Sequence, residues 1–322
     1  MGFTFLVLLV VGLASPAGAA DEAKAALTES IQFVGGGSIP KVGLGVYQSE
    51  PGTETFEAVA AALRAGYRMI DTAAMYGNEE SVGRAISSSG IPREELFVTT
   101  KLLPRDHGYL SAIAACEASL HRLGMSYVDL YVIHAPVGGK IVETWDALLE
   151  LQRLGKARKV GVSNFGVEHL QTLKEHKRPL PPLNQVEMHP LVYHPRRALL
   201  RFHGEHNIVT QAYGSMFYGK PEFLKHKAVL AIAKRHSKSA AQVLLRWGLH
   251  KGFQVIPKSV RASRIEENAR LSDFELTSDD VTRLDGLQGE LNAYWDPLEH
   301  PVDVGDTSHG DYLYAGDDKE EL

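Results

Sequence analysis

The stretch "RMIDTAAMYGNEE", residues 68–80, decides how the rest of the chain is read. A short apolar run, Met69-Ile70, ends in Asp71; Tyr76 follows five residues later, and the chain turns at Gly77-Asn78. Buried strands rarely end in a bare carboxylate unless a cation meets it there. The stretch therefore reads as a buried strand with chemistry at its C-terminal end, and the rest of the sequence is searched for strands that end the same way.

Seven further β-branched runs accompany it: "VGLGVY" (42–47), "LFVTTK" (96–101), "VDLYVIH" (128–134), "ARKVGVSN" (157–164), "LNQVEM" (183–188), "NIVTQAY" (207–213) and "FQVIPK" (253–258). Helical patterns lie between them. In "TETFEAVAAALRAG" (53–66), Phe56, Val59, Ala60 and Leu63 fall at i, i+3, i+4 and i+7. "HGYLSAIAACEASLHRLG", "ETWDALLELQRLG" and "SAAQVLLRWGLHKG" behave likewise and end in Gly, a common helix stop. Strands alternating with helices predict an α/β chain with a parallel sheet covered by helices. Eight strands in roughly 250 residues suit a closed (β/α)8 TIM barrel better than an open doubly wound sheet. "SIQFVGGGSIPK" (30–41) reads as an N-terminal β-hairpin plugging the barrel bottom. One barrel domain is expected over 30–290, and 291–322 as a C-terminal covering loop and acidic tail.

The 322 residues carry a formal charge of −5, so there is no electrostatic footprint for nucleic acid. A single cysteine, Cys116, excludes an internal disulfide and a Cys-based zinc site. Phe3 to Ala14 form an apolar run followed by Ala17 and Ala19, an A-x-A pattern, so residues 1–19 read as a cleaved signal peptide. The run is too short to span a bilayer, and no membrane span remains after cleavage. The chain ends in Lys319-Glu320-Glu321-Leu322, one residue away from the K-D-E-L retrieval signal. Together they predict residence in the endoplasmic reticulum lumen through a retrieval receptor, with secretion or a bipartite plastid signal as alternatives.

Barrel enzymes place their chemistry at strand ends. Here the ends supply Asp71, Lys101, His134, Asn164, Gln185, Tyr213 and Lys258. Strands two and three are neighbours in this topology, so Asp71 and Lys101 can meet, and Tyr76 can lean over the pair. A phenol near pKa 10 is a poor proton donor at neutrality, and an adjacent ammonium favours its ionised form. With His134 able to hydrogen-bond a substrate oxygen, the four groups make a proton-donating site for a carbonyl.

At these residues the sequence resembles the aldo-keto reductases, over about residues 31–300. "DTAAMYGNE" (71–79), "DLYVIH" (129–134), "GVSNF" (161–165), "NQVEMHP" (184–190), "IPKSV" (256–260) and "RIEEN" (264–268) look like the family's signatures, in order. The resemblance implies an NADPH-dependent oxidoreductase that reduces aldehydes or ketones, with Tyr76 as general acid, Lys101 and Asp71 tuning it and His134 orienting the carbonyl. It implies that Ser163, Asn164 and Gln185 hold the cofactor carboxamide and that Tyr213 stacks on the nicotinamide. Lys258, Ser259 and Arg264, with Val260 among them, would grip the 2′-phosphate, and Glu267 and Asn268 would lie near the adenine. Gly214 and Ser215, in "AYGSM", stand where "AYSPL" is common and the pyrophosphate is contacted. Ala135 replaces the family's usual Trp after the histidine, Arg261 adds a cation at the phosphate site, and Tyr47, His134, Ala135 and Trp295 would line the substrate pocket. The family's members are often monomers.

Four other readings fit the sequence less well. No G-x-G-x-x-G follows a strand and opens a helix, which speaks against a dinucleotide-binding open sheet. His203 with His206, and His189 with His194, lack H-E-x-x-H spacing, so no metal is expected. A catalytically silent NADPH-binding barrel, acting as a sensor or regulatory subunit, would not need Tyr76; a lumenal carbohydrate- or chaperone-related binding module would not need the cations at 258–264.

Overall fold

The computed structural model describes residues 25–288 and 297–302. Trp295, the apolar N-terminal run and the KEEL tail fall outside the described residues.

Two short strands, β1 (Ser30–Gln32) and β2 (Ser38–Pro40), form the expected antiparallel hairpin around three glycines. Eight parallel strands follow in chain order: β3 (Leu44–Gly45), β4 (Met69–Asp71), β5 (Phe97–Leu102), β6 (Val128–Ile133), β7 (Ala157–Ser163), β8 (Leu183–Glu187), β9 (Val209–Tyr213) and β10 (Gln254–Val255). The first and last of them meet. Parallel bridges pair Val42 with Val255 and Gly45 with Lys258, and Gly45 N–H donates to the Pro257 carbonyl at 3.0 Å. The sheet is thus closed as the eight-strand pattern requires.

Because successive strand residues face opposite sides, the runs supply two cores. One side of each strand packs against the helices through residues such as Ile70, Val98, Tyr131, Val162 and Ala212. The other side fills the barrel with Met69, Leu130, Val132, Leu183, Val209 and Ile256, joined by Phe33 and Ile39 of the hairpin. Apolar residues hold the lower barrel, so the same faces can carry polar residues one step further along each strand.

The named helical patterns form helices at Thr53–Ala65, Tyr109–Leu123, Ile141–Arg153 and Ala240–His250. Gly66, at φ 104°, ends the first by turning its N–H onto the carbonyls of Ala62 and Leu63, a conformation that favours glycine. Ser239 and Gln242 form a reciprocal cap at the start of the last. The chain departs from one helix per strand after β8, where Pro190–Tyr193 precedes Arg197–His206. It does so again after β9, where Pro221–Leu224 and Lys227–His236 precede Ala240–His250. Pro190 and Pro221 each open a short new helix, since proline suits the first turn and not the interior. Among the described residues, no helix is long and apolar enough to cross a membrane, and no group of three or more His, Cys, Asp or Glu could hold a metal ion.

Candidate active site

The carboxylate at the end of β4 meets its cation. Lys101, on β5, is fully buried, and its ammonium donates to Asp71 Oδ1 at 2.5 Å, the Thr72 carbonyl at 2.9 Å and the Tyr76 hydroxyl at 3.1 Å. An ammonium has three N–H groups, and here each has an acceptor. Burial pushes the Asp71 carboxyl up and the Lys101 ammonium down from their ordinary values, and each one's charge opposes the other's shift. The carboxylate and two further oxygens replace the water that the cation has lost.

Tyr76 closes a single 3-10 turn, Ala74–Tyr76, on the loop after β4. The loop is pinned by a residue that the sequence did not single out. Asn78, fully buried, donates to the carbonyls of Val46 and Ser49 at 2.9 and 3.1 Å and accepts from the Thr72 hydroxyl at 2.7 Å. The phenol is therefore fixed between β3 and β4. Its ring lies 5.0 Å from that of Tyr47 and 5.7 Å, edge-on, from that of His134. His134 follows β6; burial first, and the Lys101 charge second, hold its imidazole well below the usual histidine range, so it is neutral at pH 7.

At the ends of β7 to β9 the polar groups interlock. Asn164 stands at φ 62°, a left-handed conformation that Asn tolerates. Its Nδ2 donates to the His134 carbonyl at 2.9 Å, and its Oδ1 accepts from the Tyr213 hydroxyl at 2.7 Å. The Ser163 hydroxyl donates to the Gln185 carbonyl at 2.8 Å, while Gln185 Nε2 reaches Asp71 Oδ2 at 2.9 Å. The amide group and the tetrad are thus one hydrogen-bonded unit.

A cleft of about 780 Å³ opens above these groups. It brings together Tyr47, Asp71, Tyr76, His134 and Ala135 with Ser163, Asn164, Gln185 and Tyr213. It continues past Gly214 and Ser215 to Lys258, Ser259, Val260, Arg264, Glu267 and Asn268. Every sequence-predicted site residue within the described chain lines this cleft except Lys101, which lies beneath it. Lys258 is half-buried, its Nζ donates to the Gln48 carbonyl at 3.1 Å, and burial lowers its pKa. Arg261 and Lys225 add two cations to the lining. Lys225 comes from the short helices after β9, which no sequence pattern tied to the site.

Fold and site define a (β/α)8 barrel whose polar groups converge at the C-terminal ends of its strands. The chain belongs to the aldo/keto reductase family, whose model matches residues 41–288, and so to a family of carbonyl reductases. An aldo-keto reductase of Mycolicibacterium smegmatis is 45% identical over 283 residues, covering 87% of this chain and 98% of that protein. The glyoxal reductase of Bacillus subtilis is 44% identical over 273 residues, covering 85% and 98%. Among solved structures, a variant of Gox0644 in complex with NADPH matches with a TM-score of 0.77 and 37% identity, covering 85% of this chain and 99% of that one.

These relatives correct the reading of compartment. They belong to mycobacteria and Bacillus, cells without an endoplasmic reticulum. The lumenal assignment is withdrawn, together with the signal peptide and retrieval tail on which it rested. The family match begins at residue 41, after the apolar run. An apolar stretch followed by small residues, and four terminal residues that differ at one place from a motif, are patterns of low information, and both lie outside the described residues.

Proposed function

We propose that this chain reduces aldehydes or ketones to alcohols with NADPH, and that Tyr76 delivers the proton. The observation that carries this reading is the convergence of Asp71, Thr72 and Tyr76 on one buried ammonium. A binding module has no use for a phenol held against a buried cation.

The cleft fits the cofactor chemically. Ser163, Asn164 and Gln185 offer amide and hydroxyl groups for a carboxamide, and Tyr213 offers a ring for the nicotinamide. Lys258, Arg261 and Arg264 line one stretch of the cleft, and none is in an ion pair among the described residues, which suits a 2′-phosphate dianion. The helix Ala262–Ala269 opens beside them, adding backbone N–H groups to the anion site. Gly214 and Ser215 would approach the pyrophosphate, and Glu267 and Asn268 the adenine. Bound there, the dinucleotide would supply the hydride that the protein's own side chains cannot.

The remaining chemistry belongs to the chain. Tyr76 O–H donates its proton to the carbonyl oxygen as negative charge develops there. Lys101, 3.1 Å from that hydroxyl, stabilises the phenolate left behind, and Asp71 keeps Lys101 charged in a buried place. Neutral His134 donates a hydrogen bond that orients the carbonyl without competing as the acid. Tyr47 and Ala135 form the wall against the substrate; with Ala135 in place of a large ring, the wall leaves room beside the carbonyl. The chain is proposed to act as a monomer. The Bacillus subtilis relative makes glyoxal a natural first substrate to try. NADPH oxidation should be followed with glyoxal, a nitrobenzaldehyde and a simple ketone. Consumption that requires both cofactor and carbonyl is expected; tight NADPH binding with no turnover of any carbonyl would return the chain to the silent-barrel reading.

A further inference from the structure

Beneath the cleft, three glutamines stand in one row across adjacent strands. Gln185 on β8 is in register with Gln211 on β9, and Gln211 with Gln254 on β10. All three are buried. Asp71 as a carboxylate can only accept, so Gln185 must turn its Nε2 toward Oδ2, 2.9 Å away. The same Nε2 donates to Gln211 Oε1 at 2.5 Å. Both hydrogens of that nitrogen are then used, and Gln185 Oε1, which accepts no hydrogen bond among the described residues, is what the side chain offers to the cleft it lines.

The far end of the row is fixed as firmly. Gln254 Nε2 donates to the Pro40 carbonyl at 3.1 Å, another group that can only accept. This leaves Gln254 Oε1 buried without a donor, and Gln211 Nε2 buried without an acceptor. A donor and an acceptor thus stand at registered positions of paired strands, suited to each other directly or through one water. The polarity of the row is set from both ends, and Gln211 can present only its oxygen to Gln185.

We infer that Gln211 is a positioning residue for cofactor binding: it holds the Gln185 amide so that a carbonyl oxygen faces the cleft, ready to accept from the N–H of a primary carboxamide. One bond from Asp71 would leave the amide free to swing; two fix its plane. The inference rests on the functional reading above, in which Gln185 meets the nicotinamide carboxamide.

Dinucleotide titration followed by quenching of protein fluorescence tests it without turnover. Gln211→Met keeps the volume and removes the acceptor. It should weaken NADPH and NADH binding equally, by about three- to tenfold, since both share the carboxamide and one neutral hydrogen bond is at stake. Gln211→Glu, which retains an oxygen at that position, should restore most of the affinity. In a Gln185→Met background, Gln211→Met should cost less than about 1.5-fold further, because the two act as one unit. Wild-type affinity in Gln211→Met, or an equal loss with and without Gln185, would overturn the inference. A wild-type protein that binds neither dinucleotide would instead overturn the functional reading, and this inference with it.

Discussion

Replacing Tyr76 by Phe removes one oxygen and keeps the ring that packs between Tyr47 and His134 at 5.0 and 5.7 Å. The loop should hold, because Asn78 and not the phenol ties it to Val46 and Ser49. Lys101 loses one of three acceptors and keeps the carboxylate and the Thr72 carbonyl. The stability cost is then that of one partly exposed hydrogen bond, about 0.5–1.5 kcal/mol. At roughly 2–4 °C per kcal/mol for a chain of this size, the melting temperature should fall by only a few degrees. Turnover should fall far more. Proton transfer by a placed side chain is typically worth about 10²–10⁴ in rate, or roughly 2.7–5.4 kcal/mol at 1.36 per decade. Reduction cannot finish without a proton for the alkoxide, so the loss should appear with every carbonyl tested. NADPH affinity should stay within about a few-fold, since no proposed cofactor contact is changed. The assay is single-turnover oxidation of bound NADPH, with a deuterium isotope effect to verify that chemistry limits the rate. If Tyr76→Phe keeps more than about a tenth of wild-type turnover under that condition, the proton comes from another group and the tetrad is a resemblance without a mechanism.

Lys101→Met should lose turnover to a similar extent but should also destabilise the chain by about 3–5 kcal/mol, because Asp71 would be buried with only Gln185 for company; urea titration measures it. Arg264→Ala should weaken NADPH binding by about tenfold or more while NADH binding hardly changes, since a charge-assisted bond to phosphate contributes about 1.5–3 kcal/mol; equal losses for both would assign Arg264 a structural role. Burial lowers His107, His169 and His203 to about 4 each, below an unfolded value of about 6.5. Protons therefore bind the unfolded chain first, so this stability is fully present above about pH 6.5 and is lost as pH falls toward 4. At pH 5 each should cost on the order of 1–2 kcal/mol; a urea midpoint that is flat from pH 7 to 5 would contradict the buried neutral histidines.

The strand ends were legible because one rule, polar residues where parallel strands stop, picks out Asp71, Lys101, His134, Asn164, Gln185, Tyr213 and Lys258 without knowledge of their partners. The alternation of apolar runs with helical patterns was enough for the barrel, since all eight runs became strands. What stayed hidden lay inside the strands or between distant loops. Gln211 and Gln254 read as ordinary polar positions in β-branched runs, and only strand register sets them beside Gln185. Asn78 looks like a turn residue, and its bonds to Val46 and Ser49 exist only once β3 and β4 are paired. Lys225 reaches the cleft from short helices restarted by Pro221, where local sequence carries no sign of the site. The compartment was misread because end patterns of a few residues were given weight that the barrel did not share.

The join between β3 and β10 has a mechanical meaning. Both strands are two residues long and meet through two isolated bridges in place of a continuous ladder, and Pro257 can add no N–H to them. Tyr47 and Gln48 leave the join on one side, Lys258 to Arg264 on the other, and the cleft straddles it. A ligand gripped from both margins acts as a clasp on this interrupted seam of the hoop. The empty protein should therefore part first at this line, exposing chain near residues 41–48 and 254–261 to protease, and the loaded protein should resist until its ligand has left.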